Sequence, residues 1–436
     1  MNNNETEYQV SSLDNLLMGV SAKNNKPLLI RGALPGEKAT VINLGKQKGV
    51  LKASAASISD PNKIRISPKC SHSHICGGCG LQHISSQVQL ELKQNIIKDQ
   101  FKELANIENI TFSPTLDSPD WGYRRKARLG VRYVAKKDRF LVGFREFNGR
   151  FLADIETCDI LTPDVGYRLD KISDLLSQLS IGNKIPQIEV TAADNATALL
   201  VRHLADFSEN DIKLWQQFGK EYNFHIYFQP SSYEKSHLVF PSEPESLYYD
   251  IPAHKLRMFF KVYDFIQINS EVNLKLIDKA IEWLEINDQD HILEGFCGIG
   301  NFSLPFAKYA QSVTAIEYCP SLLQDAAANA SYNKLNNISF VADDLYNMKD
   351  VSSYAGNTKF NKLFLDPPRS GAATWLPTAL STKPELVVYV SCNSKTLAQD
   401  AAILAEHGYN LTNVAIANMF PHTNHVETIA KFKLKG

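Results

Sequence analysis

Two sets of residues in this chain have the types and spacing for chemistry. The first pairs a thiol with a carboxylate: Cys392 in Val390-Ser391-Cys392-Asn393, and Glu427 at the end of Met419-Phe420-Pro421-His422-Thr423-Asn424-His425-Val426-Glu427. The second is a cysteine cluster, Cys70-x5-Cys76-Gly77-Gly78-Cys79, with Cys158 far downstream. Beside a methyl donor, a thiolate that adds to C6 of a uracil ring makes C5 nucleophilic enough to attack a methyl sulfonium. A base must then take the C5 proton so that the thiolate can leave. Cys392 suits the first role and Glu427 the second. The bland alternatives are a core cysteine and a surface charge. His422 and His425 are expected to make structural hydrogen bonds rather than to move protons.

A methyl donor needs a pocket, and four strand ends offer one. Glu294-Gly295-Phe296-Cys297-Gly298-Ile299-Gly300-Asn301-Phe302 is a glycine-rich turn between a strand and a helix, where backbone approaches a ligand closely. The next strand ends in Glu317, whose carboxylate can accept from both hydroxyls of a ribose. The third ends in Asp343-Asp344, placed to reach an adenine, and the fourth in Asp366-Pro367-Pro368-Arg369. Any one acid could be a strand-end cap; four in succession after a glycine turn point to a nucleoside cofactor. The spacing Gly-x-x-Gly-x-Gly differs from the dinucleotide pattern. S-adenosylmethionine, with no phosphate to cradle, fits better than NAD.

The cysteine count is odd (seven), which argues against a disulfide framework and for metal binding or catalysis. With His72, His74 and His83 nearby, the cluster on its own fits zinc as well as iron–sulfur. The formal net charge of −1 hides a basic island. Between Trp121 and Arg150, ten Lys or Arg oppose only Asp138 and Glu146, so these residues carry +8 and the remainder −9. Such an island can hold a polyanion at one site. Within it, Trp121-Gly122-Tyr123-Arg124-Arg125-Lys126-Ala127-Arg128 mixes rings and cations as if to stack on bases while holding phosphates. A solvated basic strand is the plain alternative.

These residues must be positioned by more than one core, because 436 residues exceed what one core supports. Residues 8–67 show short strands at Leu28-Leu29-Ile30, Ala39-Thr40-Val41-Ile42 and Gly49-Val50-Leu51, with a turn at Leu34-Pro35-Gly36-Glu37. That pattern predicts a small β-barrel of the oligonucleotide-binding type. An amphipathic helix follows the cysteines, with Val88, Leu92, Ile96, Ile97, Phe101 and Leu104 on one face. Residues 68–264 read as an α+β domain, and residues 265–436 as strands alternating with helices. The latter runs, at 291–293, 313–316, 338–341, 363–365 and 386–390, imply a parallel sheet covered by helices. The residues from Met1 to Thr6 are polar and expected to be disordered. No membrane-length apolar stretch and no signal peptide are present, which predicts a cytoplasmic protein.

The motifs resemble, in order, those of the RNA uridine-5-methyltransferase family: Phe265-Ile266-Gln267-Ile268-Asn269, Phe296 to Phe302, Leu365 to Arg369, Ser391-Cys392-Asn393 and Phe420 to Glu427. The resemblance spans nearly the whole chain and implies a Rossmann-like class I methyltransferase domain at the C-terminus. It implies Cys392 as nucleophile, Glu427 as base, and cofactor contacts from Gln267, Phe296, Asn301, Glu317, Asp344 and Asp366. It further implies a structural [4Fe–4S] cluster on Cys70, Cys76, Cys79 and Cys158, within the family's run Cys-Gly-Gly-Cys-x-Leu-Gln-His. The N-terminal domain looks like a TRAM barrel, clearest at Ala33 to Glu37. A TRAM barrel followed by an iron–sulfur loop marks the ribosomal RNA branch, with uridine 1939 of 23S rRNA as the implied target. A monomer needing no protein partner is expected. Two departures stand out: Glu294-Gly295 replaces the family's usual Asp-Leu, and Ser394-Lys395 its Pro-Ala. The competing readings are a different rRNA or tRNA uridine and a non-catalytic iron–sulfur RNA-binding protein.

Overall fold

The computed structural model describes residues 6–348, 350–355 and 359–436, so all but one of the polar residues expected to be disordered lie outside it. The chain divides into two compact units. The first comprises residues 1–92, 119–245 and 420–424, and the second residues 93–118, 246–419 and 425–436.

The first unit opens with six strands: β1 (Tyr8–Gln9), β2 (Ser12–Leu13), β3 (Gly19–Lys23), β4 (Lys26–Arg31), β5 (Lys38–Gln47) and β6 (Val50–Ser59). They form one sheet in the order β1-β5-β6-β4-β3-β2. The segment from Tyr8 to Leu13 pairs with β5 at its start and β3 at its end, so it closes the sheet on itself. Leu28, Ile30, Ala39 and Ala53 fill the interior. Gly49, expected in a strand, instead turns the chain with φ 86°, a conformation that suits glycine. Glu37 is fully buried there. It takes a bidentate ion pair from Arg65 and the backbone N–H groups of Leu34 and Asn62.

Helix α1 (Ser86–Ala105) follows the cysteine loop. Ile96, Ile97 and Phe101 are buried as expected, whereas Val88, Leu92 and Leu104 are only half-buried. Gln89, Lys93 and Gln100 are buried as well, and Gln89 donates to the carbonyls of Leu81 (3.1 Å) and Ile84 (3.0 Å). A second sheet has the order β12-β11-β10-β9-β7-β8, from β7 (Lys126–Val134), β8 (Arg139–Gly143), β9 (Gln187–Ala192), β10 (Thr197–Arg202), β11 (Phe224–Gln229) and β12 (His237–Phe240). It packs with α2 (Pro163–Gly166), α3 (Leu169–Gln178) and α4 (Glu209–Tyr222) around one apolar core.

The second unit holds the hairpin β13 (Tyr248–Ile251) and β14 (Leu256–Phe259), and a seven-stranded sheet. The sheet strands are β15 (His291–Gly295), β16 (Ser312–Glu317), β17 (Ile338–Ala342), β18 (Lys362–Leu365), β19 (Leu386–Ser391), β20 (Tyr409–Ala417) and β21 (Glu427–Leu434). The order is β17-β16-β15-β18-β19-β21-β20. The first five are mutually parallel, so their C-terminal ends share one edge. β21 inserts antiparallel between β19 and β20. Helices α5 (Ser270–Leu284), α6 (Ser303–Ala307), α7 (Pro320–Tyr332), α9 (Leu376–Leu380) and α10 (Ser394–Glu406) complete this unit, with the short α8 (Ser352–Ala355). Among the described residues, no helix is long and apolar enough to cross a membrane.

Candidate functional site

In the second unit the register of β19 against β21 decides the site. Ser391 lies opposite Thr428, so the next residue of one strand and the preceding residue of the other, Cys392 and Glu427, meet at the sheet edge. Cys392 is half-buried and Glu427 is 4% exposed. Burial pushes the Cys392 thiol up, the charges of Glu427 and Asp366 push it further, and a hydrogen bond and charge from Arg369 pull it back. The Glu427 carboxyl is raised well above its ordinary value by burial, then by Asp366, again opposed by Arg369. Asp366 is itself pushed up to about 7 by desolvation. One thiol, two carboxyls and one guanidinium therefore form a single electrostatic group. Arg369 was legible only as part of a motif; its role follows from being the cation among two acids and a thiol. Its Nη2 also meets His425 Nδ1 at 3.2 Å.

The loop that carries Asp366 and Arg369 is anchored on α10. The Asp400 carboxylate accepts the Ala372 N–H at 2.7 Å and the Tyr389 hydroxyl. Asn393 donates its side-chain N–H to the Arg369 carbonyl at 2.9 Å.

On the same edge, the turn after β15 places Phe296, Gly298 and Gly300 at positive φ (65°, 55° and 90°). Space above Gly298 is open, since nothing lies within 4 Å of where a Cβ would stand. Glu317 is held by the N–H groups of Gly298 (3.2 Å) and Cys319 (3.1 Å), leaving a half-buried carboxylate beside that space. Phe296 packs near Tyr346 and Trp375. Glu294 is 1% exposed, its Oε2 has no hydrogen-bond partner, and burial raises its carboxyl to about 8. A buried acid with an unmet acceptor and a carboxylate facing open space fit a ligand that carries an ammonium group and a diol. Gly295 accounts for the departure in this turn: a Cβ there would sit 2.3 Å from the Trp375 ring, which fills the volume.

Two expected cofactor residues are engaged elsewhere. Asn301 exchanges hydrogen bonds with Asn273 of α5 (2.9 and 3.0 Å) and accepts from Tyr249 (2.9 Å), so it fixes the turn. Asp344 accepts from Tyr346 N–H (3.0 Å) and Asn347 (2.7 Å), capping its own turn. Gln267 is half-buried in the segment just before α5, where Asn269 caps the helix.

In the first unit, Cys70, Cys76, Cys79 and Cys158 line one pocket with Trp121, Phe144 and Ile155. Burial pushes the Cys79 thiol to about 12 and Cys158 to about 11, and nearby thiols add to both. Gln82 accepts the Cys70 N–H at 3.0 Å, and Gly166 is required because a Cβ there would meet the Cys158 carbonyl at 2.5 Å. None of His72, His74 and His83 lines this pocket. Among the described residues, no group of three or more His, Cys, Asp or Glu is arranged to hold a metal ion. Ligands of one zinc must converge to bonds of about 2.3 Å, whereas a cuboidal cluster keeps its four sulfur ligands farther apart. Four thiols around a common apolar pocket, without histidine, fit the second arrangement.

The aromatic residues expected to stack on bases are spent internally. Tyr123 is buried and donates to the Pro421 carbonyl at 3.0 Å, while Trp121 stacks on His422 at 4.1 Å. His422 is clamped by Gln89, through its N–H (2.9 Å) and Nδ1 (3.3 Å), a structural role as expected. Arg125 is buried as well. The exposed cations of the island are Arg128, Arg132, Lys136, Lys137, Arg145 and Arg150, its exposed ring is Tyr133 (42%), and Phe151 (73%) follows directly after it.

The model of the tRNA (uracil-5-)-methyltransferase family matches residues 85–433. The chain belongs to that family. Curated relatives agree: it is 37% identical over 428 residues to a 23S rRNA (uracil(1939)-C(5))-methyltransferase RlmD of Alkalilimnicola ehrlichii, covering 98% of this chain and 96% of the relative. It is 40% identical over 417 residues to the protein of the same name from Nitrosococcus oceani, covering 95% and 93%. Among solved structures, the Pyrococcus abyssi tRNA (uracil-54, C5)-methyltransferase, in complex with S-adenosyl-L-homocysteine, superposes with a TM-score of 0.70. That match covers 98% of this chain and all of the other at 19% identity, and so shows a shared fold. This uracil-5-methyltransferase family fold is built here of mixed sheets and helices.

Proposed function

We propose that this chain transfers a methyl group from S-adenosylmethionine to C5 of a uridine in 23S rRNA, uridine 1939 being the position named for its relatives. The meeting of Cys392 and Glu427 across β19 and β21 carries the reading. When bound on the edge formed by Glu294, the 296–302 turn and Glu317, the cofactor supplies the methyl group. Cys392, its negative form favoured by Arg369, attacks C6 of an extruded uracil and pushes the electron pair to C5. C5 then forms its bond to the methyl carbon as the bond to the sulfonium breaks. Glu427, a stronger base for being buried, takes the C5 proton, and the electron pair expels the Cys392 thiolate.

The finer assignments belong to the same proposal. Residues 8–67 form a TRAM-type barrel, 68–264 a central domain and 265–436 a Rossmann-like class I methyltransferase domain. Gln267, Phe296, Asn301, Glu317, Asp344 and Asp366 surround the cofactor, Asn301 and Asp344 through the backbone they hold. Cys70, Cys76, Cys79 and Cys158 hold a [4Fe–4S] cluster with a structural role. The protein works as a cytoplasmic monomer.

Labelled S-adenosylmethionine and unmodified 23S rRNA transcript, followed by nuclease digestion and mass spectrometry, test the reading. One 5-methyluridine with wild type, none with Cys392→Ala, and a covalent protein–RNA adduct with Glu427→Gln are expected. Transfer to tRNA alone would move the substrate. No transfer to rRNA, tRNA or ribosomal particles, with the cofactor still bound, would sink it.

A further inference from the structure

Arg31 ends β4, in the closed N-terminal sheet, and is 7% exposed. Its Nη2 donates to the Cys76 carbonyl at 2.7 Å and also to the Cys79 carbonyl. The Phe147 ring lies 5.0 Å from the guanidinium carbon, and Nη1 is buried with no hydrogen-bond partner. Among the described residues no carboxylate pairs with Arg31; the buried acid of the same sheet, Glu37, is taken by Arg65. The guanidinium instead lies on the carbonyls of Cys76 and Cys79, which places it beside the loop that carries these two thiols. A buried cation without a counter-charge is strongly unfavourable, so a fold that keeps one implies an anion nearby. Protonated thiols cannot serve, but four thiolates on an iron–sulfur core carry net negative charge.

We propose that Arg31 is the counter-charge of the four-cysteine site, locking β4 to the Cys76–Cys79 loop and setting the reduction potential of the cluster held there. This rests on the cluster reading given above. Net charge and hydrogen bonds around a cluster set its potential, and a nearby cation favours the more negative, reduced state. Losing partners of this kind in the shell around metal ligands typically weakens metal retention about 10–100-fold.

The test uses full-length protein isolated anaerobically, comparing wild type with Arg31→Gln and Arg31→Lys. The glutamine keeps an N–H donor without charge; the lysine keeps the charge without the fork. Iron content, cluster release to 2,2′-bipyridyl and midpoint potential by spectroscopic titration are measured. Arg31→Gln should shift the potential to more negative values and release iron about 10-fold faster. Arg31→Lys should keep a potential near that of wild type. Equal potentials in all three iron-loaded proteins would overturn the proposal while leaving the cluster intact. Wild type without iron would instead remove the cluster reading, and this proposal with it. Should neither variant fold, wild type still decides. Stripping its iron should cost β4 its amide-exchange protection relative to β9, and unchanged protection in β4 would overturn the proposal.

Discussion

Two regions of this molecule surround cysteine with arginine, and they do so to opposite ends. At the edge of the seven-stranded sheet, Cys392 shares its site with Glu427 and Asp366, and Arg369 opposes their upward push on the thiol. In the first unit, four thiols share a pocket with apolar side chains, and Arg31 reaches the backbone of two of them. A thiol among carboxyls is half-exposed, and its charge is kept available for a substrate. Of the thiols that share the pocket, Cys79 is buried while Cys70, Cys76 and Cys158 are half-buried like Cys392, so the neighbours rather than the exposure differ, and in the proposed reading their charge waits for a metal core. Residue type does not separate reactive from structural cysteine; the company of the sulfur does.

The largest expected break in the comparison is Cys392→Ala. It should abolish methyl transfer, by roughly 10⁴-fold or more, without changing iron content. Cys79→Ser should do the reverse to the metal, emptying the pocket of iron while cofactor affinity, measured by calorimetry, holds. The next effect is on stability. Glu37→Ala leaves Arg65 without its acid and should cost about 3–5 kcal/mol in denaturant unfolding. Glu37 is burdened by burial but held below its ordinary value on balance by Arg65 and two backbone N–H groups. Its contribution is therefore fully present above the unfolded value of 4.5, and is lost as pH falls through the lower folded value. Unfolding midpoints of wild type and Glu37→Gln should converge on acidification.

A smaller effect sharpens the acid–thiol site. Arg369 lowers both Cys392 and Glu427, so Arg369→Ala should move the alkaline rise of the rate to higher pH, seen in single-turnover profiles. The smallest concerns fit alone. Gly295→Ala should overpack Trp375 at about 1–3 kcal/mol, and Trp375→Leu in the same chain should recover part of that loss.

The five parallel strands were legible because doubly covered strands read as short apolar runs, and the acids at their ends fell on one edge as a consequence. The order of the last two strands was not. Nothing in Glu427–Leu434 says that it enters between β19 and β20, yet that insertion brings Glu427 to Cys392. The basic segment misled for a related reason. Lys126, Arg128 and Arg132 alternate with Ala127, Leu129 and Val131, the period of a half-buried strand, and the rings preceding it were needed inside. Arg31 carried no signal at all, since its meaning depends on a loop some 45 residues away.

The late entry of β21 also bears on synthesis. A chain cut before Glu427 would hold Cys392 and the glycine turn but not the proposed base, with β19 and β20 both left as open edges. Such a fragment could trap RNA through the thiol without releasing it, and its bare edges would mark it for aggregation or disposal. Because the strand that carries Glu427 also seals the sheet, a complete seven-stranded sheet and the proposed catalytic pair arrive together.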